Sequence, residues 1–182
     1  MDANGNVLEF ENDSERQHYH INMAAMLKLG EWFDYLKEKG VYDNTRIIIV
    51  SDHGTPYRWK GPHSIYYHDN YSGEDTNLDI RRFACTLMYK DFDAEGFTVD
   101  DGFTTNADVP AIALDGIVSN PVNPFTGNPI VRGDESLLPL QVIRTREHSI
   151  KKNNGNTFIP GNIFEVNGNV NDINSWKYIG NE

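Results

Sequence analysis

Ser51-Asp52-His53-Gly54 is the segment of this chain best suited to chemistry, because a carboxylate and an imidazole stand side by side where a β-branched run, Ile47-Ile48-Ile49-Val50, ends. An anionic oxygen and a ring nitrogen are both metal donors. Their adjacency at the exit of a buried strand suggests a metal site at the mouth of an α/β sheet. Two protein donors cannot close a tetrahedral or octahedral shell, so the pair needs water or another segment to complete it. Arg58, Lys60, His63 and His68 follow in the next loop and are candidates for substrate binding. The plainer reading leaves each of them in solvent or packed against the tyrosines of that loop. His18 and His20, before a helix, and His148, with no ligand cluster beside it, read as polar surface.

The elements that must position Asp52 and His53 are legible on either side of them. From about Ile21 to Lys39, Ala25, Leu29, Trp32, Phe33 and Leu36 recur mostly at three- and four-residue steps, which predicts a helix with one broad apolar face. Gly40 after Lys37 and Lys39 matches a helix end with a basic last turn and a glycine in the left-handed position. Residues 41–45 are then a crossover turn, and Ile47–Val50 a strand covered on both faces. Residues 1–18 are polar and expected to be disordered.

Beyond the pair, Pro56, Gly61, Pro62 and Gly73 break any period from Thr55 to about Arg82, while tyrosines and Trp59 stud the stretch. It reads as one long loop, a length that is uncommon without a function. Phe83–Tyr89 reads as a second interior strand neighbouring the first, with Cys85 as a packed thiol. Asn106 or Asp108 is expected to cap a short helix with Pro110 in its first turn and Gly116 as its stop. Gln141–Arg146 alternates as a strand. The Asn- and Gly-rich tail keeps enough large apolar groups, among them Phe164 and Trp176, to predict hairpins or an irregular layer. Residues 120–182 are thus expected to be an irregular, β-rich C-terminal region of a single domain spanning 1–182.

Composition narrows the function classes. Sixteen Lys+Arg against 27 Asp+Glu leave a net charge of −11, which disfavours gripping nucleic acid or an anionic membrane. An anionic substrate is still admissible, because a bound metal reverses the field locally. A single cysteine rules out an intrachain disulfide, and no stretch is long and apolar enough to be a transmembrane segment. No secretory signal is visible, and the polar opening residues would suit an excised piece of a longer protein.

The run Tyr35–Thr45 leading into Ile47–Gly54 resembles the C-terminal half of the sulfatase-like branch of the alkaline phosphatase superfamily, nearest to lipoteichoic acid synthase and phosphoglycerol transferase proteins. Thr105-Asn106-Ala107-Asp108-Val109-Pro110 resembles a second feature of that family, a Thr-x-x-Asp-x-Pro helix start. The likeness covers about Tyr19 to Gly116. It implies a partial alkaline phosphatase-like α/β/α sandwich, present here as a C-terminal fragment. It also implies that Asp52 and His53 are ligands of a divalent metal ion (Mn, Mg, Ca or Zn) in the intact protein; in the fragment, which lacks the remaining ligands, binding is expected to be weak and an empty site unsurprising.

The family's nucleophile and early acidic ligands come from its N-terminal half, and nothing in residues 1–18 resembles them. The catalytic residues are therefore not assigned. The implied parent is a phosphoglycerol or other head-group transferase acting on phosphate esters, in a bacterial cell membrane with an extracellular catalytic domain. A sulfatase acting on sulfate esters is the alternative. A non-catalytic cell-envelope domain binding glycan or protein is the reading from another class, favoured by the aromatic loop and polar tail. The fragment itself is expected to be soluble, inactive and prone to self-association through exposed sheet surface.

Overall fold

The computed structural model describes residues 7–10, 12–54, 63–70, 72–145 and 161–181. Two compact units divide the chain, Met1–Ile47 with Lys90–Gly96, and Ile48–Tyr89 with Phe97–Glu182. Among the described residues the fold is mixed α/β, with two α-helices and three separate sheets, and no sheet closes into a barrel or sandwich. No described helix is long and apolar enough to cross a membrane.

In the first unit, helix α1 (Asp13–Glu38) starts about eight residues earlier than the apolar period predicts. The reason is polar. Asn12 caps it by accepting from the Glu15 N–H at 2.9 Å, Asp13 and Glu15 sit in the first turn, and Arg16 pairs with Asp13. Part of the stretch expected to be disordered is therefore helical. The other end is as expected. Gly40 takes φ +67, its N–H donates to the Lys37 carbonyl, and the Val41 N–H donates to the Leu36 carbonyl, the Schellman pattern that satisfies the last carbonyls. No residue of α1 is fully buried: Leu29, Phe33 and Leu36 of the expected apolar face are half-buried, while Trp32 keeps 44% of its surface exposed.

The chain leaving α1 is held by Lys90. Its ammonium donates to the carbonyls of Tyr42 (2.6 Å), Asp43 (3.2 Å) and Thr45 (3.2 Å) and lies over the Tyr42 ring. Beside it, the buried Arg46 guanidinium donates twice to Asp91 and stacks over Phe92.

Strand β1 (Ile47–Val50) forms where the β-branched run predicts it. A hairpin of β2 (Ser64–Asp69) and β3 (Glu74–Asp79) follows, then β4 (Leu87–Lys90). The hairpin corrects the reading of one long loop. Gly73 at φ +68 allows a tight turn, and alternation then buries Tyr67 and Asp69 while Tyr66 and His68 face solvent.

The second predicted strand is also corrected. Phe83 ends a 3₁₀ turn, Ile80–Phe83, because the Asp79 side chain accepts the Arg81 N–H and curls the chain there. Strand pairing begins only at Leu87, and Cys85 is exposed rather than packed. β1 and β4 pair with each other as neighbours, as expected, but among the described residues their sheet has only these two strands. Among those residues each is therefore an edge and not an interior strand.

The rest of the second unit supplies the core. Short helix α2 (Val109–Leu114) precedes an antiparallel sheet of β5 (Leu140–Thr145), β6 (Gly161–Val166) and β7 (Trp176–Asn181) in that order. Tyr67, Leu78, Ile80, Phe164, Val166 and Trp176 form one buried cluster, with Phe83 packed against it. Burying each of the large apolar side chains is worth roughly 1.5–3 kcal/mol. Arg144 enters this region from β5, donating to the Tyr67 hydroxyl (2.9 Å) and the Asn77 carbonyl (2.6 Å). Burial pushes the Tyr67 phenol above its ordinary pKa, and Arg144 works in the opposite direction.

Candidate metal centre

Residues 51–54 leave β1 without losing the company of the β4 side. Ser51 N–H donates to Thr86 O at 2.9 Å, Thr86 N–H returns to Ser51 Oγ at 2.8 Å, and Gly54 N–H donates to Arg82 O at 2.7 Å. As the numbers rise on one chain they fall on the other, so the two segments run in opposite directions. Between these clamps Asp52 and His53 bulge into solvent, with side chains 89% and 67% exposed.

Gly54 is required by the clamp. A Cβ built on it would lie 1.9 Å from Arg81 O and 3.0 Å from Ala84 O, both backbone atoms that cannot rotate away. The residue that closes the Ser-Asp-His run is thus glycine for a steric reason. Asn106 adds a further tie, its amide donating to Ser51 O at 2.8 Å.

Asn106 is in turn placed by a capping box. Thr105 Oγ1 accepts the Ala107 N–H at 3.1 Å, and Asp108 reaches back to accept the Thr105 N–H at 2.6 Å. The capping side chain is therefore Thr105, at the head of a 3₁₀ turn (Asn106–Asp108) that runs into α2, and neither Asn106 nor Asp108 as expected. Asp108 immediately precedes α2 but caps none of its amides. It is buried and also accepts the Gly133 N–H at 2.8 Å. Pro110 stands in the first turn of α2 and Gly116 follows its end at φ +68, both as predicted.

The geometry of the pair suits a divalent cation as part of its shell. His53 Nδ1 lies 2.7 Å from the Gly54 carbonyl, which only accepts, so Nδ1 carries a proton and Nε2 is the nitrogen left to bind a metal. That nitrogen is 3.8 Å from Asp52 Oδ2. Metal–ligand bonds of about 2.1 Å place adjacent donors roughly 3.0–3.4 Å apart, so a shift of about half an ångström brings the pair to chelating distance. Asp52 Oδ1 accepts the His53 N–H at 3.0 Å, which steadies the carboxylate. Among the described residues no group of three or more His, Cys, Asp or Glu side chains is gathered to hold a metal ion, so Asp52 and His53 stand as a pair.

The other candidates are placed as follows. His63 is exposed just before β2, where its carbonyl accepts the Ile80 N–H at 3.0 Å. His68 is exposed on β2 and its Nδ1 lies 2.9 Å from Asp75 Oδ1 on the facing strand. Arg58 and Lys60 lie outside the described residues. Sequence reasoning missed the Arg82 carbonyl as the partner of Gly54. It also missed the Thr105 cap, for which the Thr-x-x-Asp spacing was a usable signal. No protein-family model, no curated protein and no solved structure matches the chain.

Proposed function

We propose that this chain is the C-terminal portion of a metal-dependent enzyme of the sulfatase-like branch of the alkaline phosphatase superfamily, with Asp52 and His53 as two of its metal ligands. The sheet of β1 and β4 is then part of a larger α/β/α sandwich. The observation that carries the reading is the geometry of the pair. His53 Nδ1 lies 2.7 Å from the Gly54 carbonyl, which turns Nε2 outward as the free donor, and Nε2 and the Asp52 carboxylate stand 3.8 Å apart at the exit of β1.

Mg²⁺, Mn²⁺, Ca²⁺ or Zn²⁺ at such a site polarises a phosphate or sulfate ester and stabilises negative charge that develops on it. The residues of this chain supply donors and their alignment: Asp52 an anionic oxygen, His53 a ring nitrogen, and Ser51 and Gly54 the backbone clamps. Transfer of a phosphoglycerol or other head group from a phosphate ester is the preferred activity, with sulfate-ester hydrolysis as the competing one. The parent protein on this reading is bacterial and membrane-associated, with its catalytic domain outside the cell.

Calorimetric titration of Mn²⁺, Mg²⁺ and Zn²⁺ into the wild type, Asp52→Ala and His53→Ala tests the assignment. Asp52→Ala is expected to lose more affinity than His53→Ala for the hard cations Mg²⁺ and Mn²⁺, and the two losses converge for Zn²⁺. Equal affinity in all three proteins removes both residues from the metal shell. The chain alone is expected to show no turnover of aryl phosphates or sulfates, since preorganised groups around the reacting centre are needed for catalysis. Turnover abolished by Asp52→Ala would place a nucleophile within these residues.

A further inference from the structure

We propose that Arg82 is the anion-binding residue of this site, its guanidinium taking the non-bridging oxygens of a tetrahedral oxyanion, phosphate or sulfate, held beside Asp52 and His53. The inference rests on the metal reading above and adds the residue that answers the substrate's charge.

Three observations carry it. First, position: Arg82 O accepts the Gly54 N–H at 2.7 Å, and Gly54 has no Cβ to hold the chains apart. That bond puts the Arg82 backbone, in the 3₁₀ turn, in direct contact with the residue that follows His53.

Second, availability. Arg81, its neighbour, is occupied by the buried Asp79 carboxylate, donating through Nε at 2.9 Å and Nη2 at 2.7 Å. Arg132 is engaged by Asp100 and the Tyr89 hydroxyl, and Arg144 by Tyr67 and Asn77. Arg82 is exposed, and among the described residues no carboxylate, carbonyl or ring engages its guanidinium.

Third, charge. A divalent cation on one carboxylate keeps a single positive charge, while a phosphate ester brings up to two negative ones into a chain of net charge −11. A guanidinium matches two oxygens of such a group in a planar fork, which an ammonium cannot do.

The test uses the isotopically labelled 182-residue chain, titrated with inorganic phosphate and, separately, with sulfate, with and without Mg²⁺, following the arginine Nε–Hε resonances. The expected result is a saturable shift at Arg82, strengthened by Mg²⁺, with Arg81 and Arg132 unmoved. Arg82→Gln should weaken phosphate binding about tenfold or more, as loss of a charged hydrogen bond implies. Arg82→Lys, which keeps charge and fold, should fall between the two. The stronger of the two anions identifies the ester class.

Phosphate affinity unchanged in Arg82→Gln and Arg82→Lys, while Mg²⁺ still enhances binding through Asp52, overturns the role of Arg82 and leaves the metal pair standing. Phosphate binding indifferent to Mg²⁺ and to Asp52→Ala overturns both. A linear shift no larger than at Arg16 on α1 means an adventitious ion only, and also overturns the proposal.

Discussion

Replacing Gly54 by alanine is the sharpest perturbation of the local architecture. The new methyl would sit 1.9 Å from Arg81 O, closer than any real contact, and tight against Ala84 O at 3.0 Å and Arg81 C at 3.1 Å. All three are backbone atoms, so relief requires the two chains to separate and the Gly54 N–H to leave Arg82 O. Forcing excess volume into a packed site costs about 1–3 kcal/mol, and the lost hydrogen bond about 0.5–1.5 kcal/mol. Together they come to roughly 2–4 kcal/mol, which at a urea slope of about 2 kcal/mol/M moves the midpoint down by about 1–2 M.

The assay is urea unfolding followed by the amide resonances of residues 48–89 and 97–145, with hydrogen exchange at Gly54 and Thr86. Gly30→Ala is the control, because a Cβ there meets nothing within 4 Å and the residue lies inside α1. It should stabilise the helix by about 0.5–1 kcal/mol. A Gly54→Ala protein as stable as wild type, with its residue-54 amide still protected, would refute the clamp.

Further expectations concern the other packed polar groups and the open edges. Lys90→Met strips a donor from the carbonyls of Tyr42, Asp43 and Thr45 and should cost about 1–3 kcal/mol, seen as faster exchange of the Asp93 amide, which donates to Asp43 O. The Arg46 hydrogen bond, then the Phe92 N–H, hold the Asp91 carboxyl below its ordinary pKa. A depressed carboxylate stabilises the fold above its unfolded pKa of about 3.9 and loses that contribution as pH falls through the folded value. Asp91→Asn should therefore flatten the acid limb of a urea-midpoint profile, and an unchanged limb would contradict the pairing. The two-stranded sheet of β1 and β4 and the exposed apolar side chains of α1, such as Ile21, Leu27 and Trp32, predict concentration-dependent association, whereas light scattering that reports one monomer mass at every concentration would exclude it.

Local patterns were readable where local forces decide the outcome. Gly40 ends α1 because glycine tolerates φ +67, and Ile47–Val50 is a strand because four β-branched residues in a row favour extended backbone. The start of α1 went unseen because the apolar period begins later than the polar cap at Asn12. Phe83 and Cys85 were misplaced because the Asp79 side chain intercepts the chain and bends it before pairing starts at Leu87. The β2–β3 hairpin was hidden among prolines and glycines of the surrounding stretch.

Of the candidate site, the adjacency of Asp52 and His53 at a strand exit was legible. The Gly54–Arg82 clamp was not, since it joins residues 28 positions apart through backbone atoms that carry no sequence signature. The tautomer of His53 likewise depends on a carbonyl that any residue at position 54 would present, and only the folded turn aims it at Nδ1.

The central claim is that Asp52 and His53 bind a divalent cation together, and paramagnetic broadening by Mn²⁺ tests it most directly because it detects even weak occupancy. Substoichiometric Mn²⁺ added to the labelled chain should broaden the Asp52, His53 and Gly54 amides and the His53 ring resonances before any others, and Asp52→Ala should abolish that selectivity. Broadening centred on other acidic positions such as Asp93 and Glu95, with residues 52–54 left sharp, would contradict it.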